Sequence, residues 1–170
     1  FKGFDIALLV LQKLWNLFPR FQVIWSCQEK PEVRGISFPL HIVVRPSQEE
    51  LAKLYRQATV FLFTSWYEGF GLPPLEAMAS GTAVVATDCG GIRMYAAEGQ
   101  NILLAEPGDI DSLVYALLFL LQNPDARNVL EEQGRATALN FSLEKAATQF
   151  EQALYQVMHC CNAQKESLRL

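Results

Sequence analysis

The stretch SWYEGFGLPPLEAMASG, residues 65–81, sets two glutamates, Glu68 and Glu76, eight positions apart around a pair of glycines and a pair of prolines. Ionised carboxylates only accept hydrogen bonds, so each can grip two adjacent hydroxyls such as those of a ribose or a hexose. Gly69 and Gly71 permit positive φ and close backbone approach, while Pro73 and Pro74 suit a first helical turn whose N–H groups have no intrahelical partner. The free amides of such a turn belong to Gly69, Phe70, Gly71 and Leu72, and they form an electropositive cradle for a phosphate or a sugar oxygen. Two diol acceptors beside an amide cradle suit a ligand that holds ribose, phosphate and sugar in a row, which is a nucleotide sugar. A solvated Glu68 and a Glu76 that only complements the helix dipole would give the same letters.

The elements around this stretch must place it. VFLFT, just before it, is a short apolar run of the kind that buried parallel strands show, so the loop lies at a strand's carboxyl end and PLEAMAS is the helix that leaves it. FQVIWS, HIVV, AVVAT and NILLA are runs of the same kind, each bounded by turn residues. Helical patterns lie around them: FDIALLVLQKLWNLF before Pro19, SQEELAKLYRQA with Ser47 and Glu50 as a capping box, PPLEAMAS closed by Gly81, and a short stretch at 92–97. Glu76 is expected in the first turn of its helix. Three helices finish the chain: DIDSLVYALLFLLQN from an Asp cap, PDARNVLEEQGRATA from a Pro, and SLEKAATQFEQALYQVMHC from Ser142, where Glu144 falls one residue short of the box position. Alternating strands and helices predict an α/β fold, a Rossmann-like doubly wound parallel sheet, in which ligands bind beyond the carboxyl ends of the strands. Residues 1–158 read as one such domain and residues 159–170 as a tail, with no repeat and no Gly/Ser linker. The charged loop CQEKPEVRG is expected to be mobile.

Composition excludes several classes of function. With 51% hydrophobic and 19% charged residues the chain reads as an ordinary globular one. A net charge of −4 and a pI near 5.2 argue against a nucleic-acid partner, since phosphate-backbone binding draws on clustered Lys and Arg and no basic stripe exists. Cys27, Cys89, Cys160 and Cys161 have no CxxC spacing and no histidine at metal distance, so they read as reduced thiols. The longest apolar runs fall short of the roughly 18 residues of a bilayer-spanning helix, and no signal peptide is present, which predicts a soluble, cytoplasmic chain.

The run EGFGLPPLEAMASGTAVVATDCGG resembles the signature of the retaining glycosyltransferases of family 4, with the two glutamates of its E-x7-E motif at Glu68 and Glu76. NILLAEPGDIDSLVYALLFLLQNPDAR and the late Phe141-Ser142 are similar to the same family's downstream segments, and the likeness runs from residue 1 to about 158. It implies the donor-binding, C-terminal half of a GT-B architecture of two Rossmann-like domains. It implies that Glu76 holds the donor ribose, that Glu68 is the catalytic-face carboxylate on the transferred sugar, and that the amides of Gly69, Phe70, Gly71 and Leu72 meet sugar hydroxyls and the diphosphate. FKGF looks like the end of the family's basic R-x4-K segment, which makes Lys2 the diphosphate lysine. The resemblance also implies a domain without its first strand, an acceptor held by an N-terminal domain outside this sequence, and a complete protein that could associate peripherally with a membrane. No metal and no cofactor are implied, because enzymes of this architecture neutralise the leaving diphosphate with basic side chains and helix amides. The sequence departs from the family pattern at SCQEK, where a glycine-rich turn is usual, at Arg93 and Met94 after the glycine pair, and at Arg45-Pro46, where a glycine is usual.

The rival from another class is a non-catalytic module derived from such a transferase, which holds a nucleotide sugar or another subunit without turnover. No GxGxxG follows a first strand, which disfavours a dinucleotide oxidoreductase. Phe61 and Phe63 read as core, Trp66 and Tyr67 as either core or base-stacking, and Arg93 as a surface residue.

Overall fold

A computed structural model describes the backbone of residues 2–167 and the side chains of residues 2–158. The chain divides into two compact units, one ending at Ala138 and one beginning at Leu139. The first holds α1 (Phe4–Leu17), β1 (Val23–Cys27), β2 (Leu40–Val44), α2 (Gln48–Gln57), β3 (Val60–Phe63), α3 (Leu72–Ala79), β4 (Ala83–Thr87), a 3-10 turn at Gly91–Met94, β5 (Leu103–Ala105), α4 (Ile110–Gln122) and α5 (Pro124–Ala138). The second holds α6 (Leu143–Ser167), whose first turn is capped by Ser142 accepting from the Lys145 amide.

All strand pairing among the named elements is parallel, as short apolar strands joined by helices require. The strands form two sheets rather than one: β1 pairs β2, and β3, β4 and β5 pair in that order. β4 is buried along its whole length, and its side chains alternate between two cores. Ala83 and Val85 pack with Val10 and Leu14 of α1 and Leu113, Leu117 and Leu120 of α4. Val84 and Ala86 face the other way, onto Leu75 and Met78 of α3 and Ile92 of the 3-10 turn. Helices therefore cover both faces of the three-stranded sheet, which is the doubly wound layer expected. Gly134 lets α5 close on α3, because a Cβ there would lie 3.1 Å from the Met78 side chain.

The segment that enters α1 lies against strands of both sheets. Thr64, immediately after β3, donates its hydroxyl to the Gly3 carbonyl at 2.8 Å, and the Phe4 ring stacks on Trp25 of β1 at 4.3 Å. A Cβ at Gly3 would collide with the Thr64 carbonyl at 1.8 Å, so only glycine fits there. At the end of β2, Arg45 takes φ of +50°, the one non-glycine with positive φ among the described residues. Its Nε donates to the Gln28 carbonyl at 3.0 Å. Residues 28–39 contain no helix or strand.

Candidate functional site

The loop at residues 64–71 leaves the carboxyl end of β3 and turns into α3. Its course is fixed by the neighbouring loop after β4. The Glu68 amide donates to the Cys89 carbonyl at 2.8 Å, and the Gly91 amide donates to the Glu68 carbonyl at 2.9 Å. Gly91 presses so closely on this loop that a Cβ would lie 2.1 Å from the Gly69 carbonyl oxygen, whereas a Cβ on Gly69 itself would meet nothing within 4 Å. One glycine thus closes the two loops together, and the other leaves backbone open.

Gly71 caps α3 with φ of +82° and no side-chain cap, so the helix begins without a carboxylate or hydroxyl of its own on its first amides. The Tyr95 hydroxyl, buried by the fold, donates to the Gly71 carbonyl and holds the turn. Pro73 and Pro74 fall in the first turn as expected, and they leave Leu72 as the amide-bearing residue there. Glu76 is the fifth residue of α3, not in its first turn: the helix starts at Leu72, before the prolines. The helix-dipole explanation of Glu76 is weakened accordingly, since that effect fades beyond the first turn.

Glu68 and Lys2 meet. Lys2 Nζ lies 2.6 Å from Glu68 Oε1, with the lysine side chain 74% exposed and the glutamate only 14% exposed. The Ser65 hydroxyl donates to the same Oε1 at 2.7 Å. Burial pushes the Glu68 carboxyl up, but the bonds from Lys2 and Ser65 and the lysine's charge outweigh it and hold the group below the usual glutamate range. Glu68 is therefore an anion at neutral pH. Glu76 is half-buried and accepts from the Tyr55 hydroxyl at 3.3 Å. Burial, together with the neighbouring Glu76 carboxylate, pushes the Tyr55 phenol far up, so it remains a donor.

Phe61 and Phe63 pack with the core, with Tyr55 edge-on to Phe61 at 5.3 Å. Trp66 and Tyr67 leave the strand and are exposed, 46% and 71%; the Trp66 ring covers Gly108 and the Tyr67 ring lies by Gly90. Arg93 is at the surface, its guanidinium forked on Asp88. Cys27 and Cys89 are free thiols, and Cys160 and Cys161 lie outside the described side chains. Among the described residues no three His, Cys, Asp or Glu side chains converge into a metal-binding group, and no helix is long and apolar enough to cross a membrane. A cavity of about 610 Å³ lies elsewhere, between β5 and α4, lined by Glu98, Leu103, Leu104, Asp111, Ser112 and Tyr115; none of Lys2, Glu68 and Glu76 lines it.

Three supporting residues had no place in the sequence reading. Ser65 carried a faint signal, a hydroxyl at the end of a strand three residues before Glu68. Tyr55 and Tyr95 carried none, since each reaches the loop through tertiary packing. The family likeness implies Lys2 beside the donor phosphate, and in the structure its ammonium lies on Glu68.

Residues 32–137 match the family model described as "Glycosyl transferases group 1". The chain is 39% identical over 132 residues to the MMP alpha-(1->4)-mannosyltransferase of Mycolicibacterium hassiacum, an overlap of 74% of this chain and 32% of that protein. It is 38% identical over 127 residues to the O-antigen chain mannosyltransferase B of Escherichia coli, covering 75% of this chain and 32% of that one. The chain thus spans about a third of the length of these curated relatives. Among solved structures, sucrose-phosphate synthase from Thermosynechococcus elongatus superposes with a TM-score of 0.81 at 27% identity, over 94% of this chain and 43% of that one. The C-terminal domain of a glycosyl transferase group 1 family protein from Francisella tularensis gives 0.72 at 22% identity, over 82% of this chain and 78% of that domain. An Anabaena protein in complex with UDP-glucose gives 0.80 at 20% identity, over 91% of this chain and 45% of that one.

Proposed function

The chain belongs to the glycosyl transferases group 1 family, and we propose that it is the donor-binding domain of a retaining, family 4 glycosyltransferase that moves a sugar from a nucleotide diphosphate sugar to an acceptor hydroxyl. The observation that carries this reading is the Glu68 carboxylate, kept ionised by Lys2 and Ser65 at the carboxyl end of β3 and beside the open start of α3. Glu68 positions the transferred sugar. Glu76, held by Tyr55, grips the ribose. The backbone of Gly69, Phe70, Gly71 and Leu72 receives sugar hydroxyls and the diphosphate. When the glycosidic bond breaks, negative charge collects on the diphosphate, and the α3 amides and Lys2 stabilise it electrostatically without need of a metal ion or cofactor. The acceptor is held by a second domain, and transfer needs both halves.

The test is titration calorimetry of UDP and GDP with the complete protein and its Glu76→Ala variant. Loss of a charge-assisted grip on the ribose weakens binding by roughly 10- to 100-fold. An unchanged dissociation constant for both nucleotides would remove Glu76 from the site. The alternative, a binding module without turnover, predicts the same calorimetry but no sugar transfer.

A further inference from the structure

We infer that Ser65 is a positioning residue for the proposed transfer: its buried hydroxyl anchors one oxygen of Glu68 and thereby turns the other toward the bound sugar. This rests on the function proposed above for Glu68. Ser65 is fully buried, at 0% exposure, although it stands at the mouth of the site. A hydroxyl in that position must find a partner, and it donates to Glu68 Oε1 at 2.7 Å. Lys2 donates to the same oxygen at 2.6 Å, and no described residue donates to Oε2. The carboxylate is therefore divided into a held oxygen and an available one.

The two donors differ in kind. Lys2 is a long, exposed side chain at the end of a flexible stem, and a point charge on such a stem fixes distance more than orientation. Ser65 has one rotatable bond before its oxygen, and its main chain is itself tied down, because the buried Thr87 hydroxyl at the end of β4 donates to the Ser65 carbonyl. Ser65 thus couples Glu68 to two adjacent strands. When a diphosphate draws Lys2 away, Ser65 remains as the group that keeps the carboxylate in place.

Among the described residues, the charged and titratable groups facing Glu68 are Lys2 before α1, Cys89 in the loop after β4 and Tyr95 after the 3-10 turn. Two variants separate hydroxyl from volume. Ser65→Ala removes both, and Ser65→Cys fills the space with a poor donor. In the 170-residue chain, carbon-detected NMR titration of the Glu68 carboxyl should show its midpoint rising in both variants. In the complete protein, both should lose roughly 10- to 100-fold in turnover with UDP-glucose or GDP-mannose, the scale of a lost hydrogen bond to a charged group, while the dissociation constants of UDP and GDP stay within twofold. An unmoved Glu68 midpoint, or wild-type turnover in Ser65→Cys, would overturn the proposal and give Ser65 a packing role. Failure of the unaltered protein to transfer sugar from any donor sugar nucleotide would instead overturn the proposed function, with the NMR arm still deciding whether Ser65 holds Glu68.

Discussion

The Lys2 ammonium and the Glu68 carboxylate, sixty-six positions apart in the chain, meet at 2.6 Å at the carboxyl end of β3. An ion pair so exposed on the lysine side contributes little to stability, and its consequence is for the site. Under the proposed function, Lys2 bonds this carboxylate and exchanges it for the diphosphate when the donor binds.

Replacing Lys2 with Met should weaken UDP or GDP binding and raise the Glu68 pKa, since Lys2 supplies both a hydrogen bond and a favourable charge. The sign follows from the native shift. Glu68 is depressed when folded, so its ionisation stabilises the native state above the unfolded pKa, and that contribution is lost as pH falls through the depressed value. In Lys2→Met the acid limb of the kcat/KM profile should therefore move to higher pH, and the stability difference from wild type should vanish in acid. An acid limb that stays in place would show that Lys2 does not set the charge of Glu68.

Gly91 and Gly69 should behave oppositely on substitution by alanine. Gly91→Ala drives a Cβ into the Gly69 carbonyl, and relieving it means separating the two loops, at about 1–3 kcal/mol of stability on the scale of overpacking. Gly69→Ala meets no protein atom and should melt within about a degree of wild type, yet lose affinity for nucleoside diphosphates because the added methyl occupies the backbone's open face. Thermal melts beside UDP and GDP titrations check both. Equal melting temperatures for the two variants would contradict the packing described here.

The fold was legible where local rules suffice. The capping box Ser47 and Glu50 forms as its spacing says, with both hydrogen bonds present, and Asp109 caps α4 through the Ser112 amide. The five apolar runs all contain strands, because buried parallel strands carry a signal independent of their partners. The two prolines look like the helix start and put Glu76 in the first turn, whereas α3 begins one residue earlier, at Leu72, which makes Glu76 its fifth residue. The pairing of Ser65 and Lys2 with one carboxylate oxygen was not legible, being set by rotamers and by contacts across distant segments. The positive φ of Arg45 is not legible from its side chain, since an arginine rarely takes that conformation.

The split between the β1–β2 and β3–β4–β5 sheets bears on the expected missing strand. Gly3 and Phe4 enter beside Thr64, just past the end of β3, and Trp25, in the middle of β1. We propose that in the complete protein a parallel strand leading into Lys2 runs between β1 and β3 and joins the two sheets. Hydrogen exchange at the β1 and β3 amides should then be markedly slower in the complete protein than in the 170-residue chain. Identical exchange in the two would mean that the sheets remain separate.

The central claim is that Glu68 acts on the transferred sugar and not on the nucleotide. Steady-state transfer by the complete protein carrying Glu68→Gln, measured beside its calorimetric affinity for the nucleoside diphosphate product, tests this most directly. Turnover should fall by at least about 100-fold, the scale for losing a group preorganised toward the transition state, with product affinity nearly unchanged. Equal losses in turnover and product affinity would contradict it and assign Glu68 to the nucleotide.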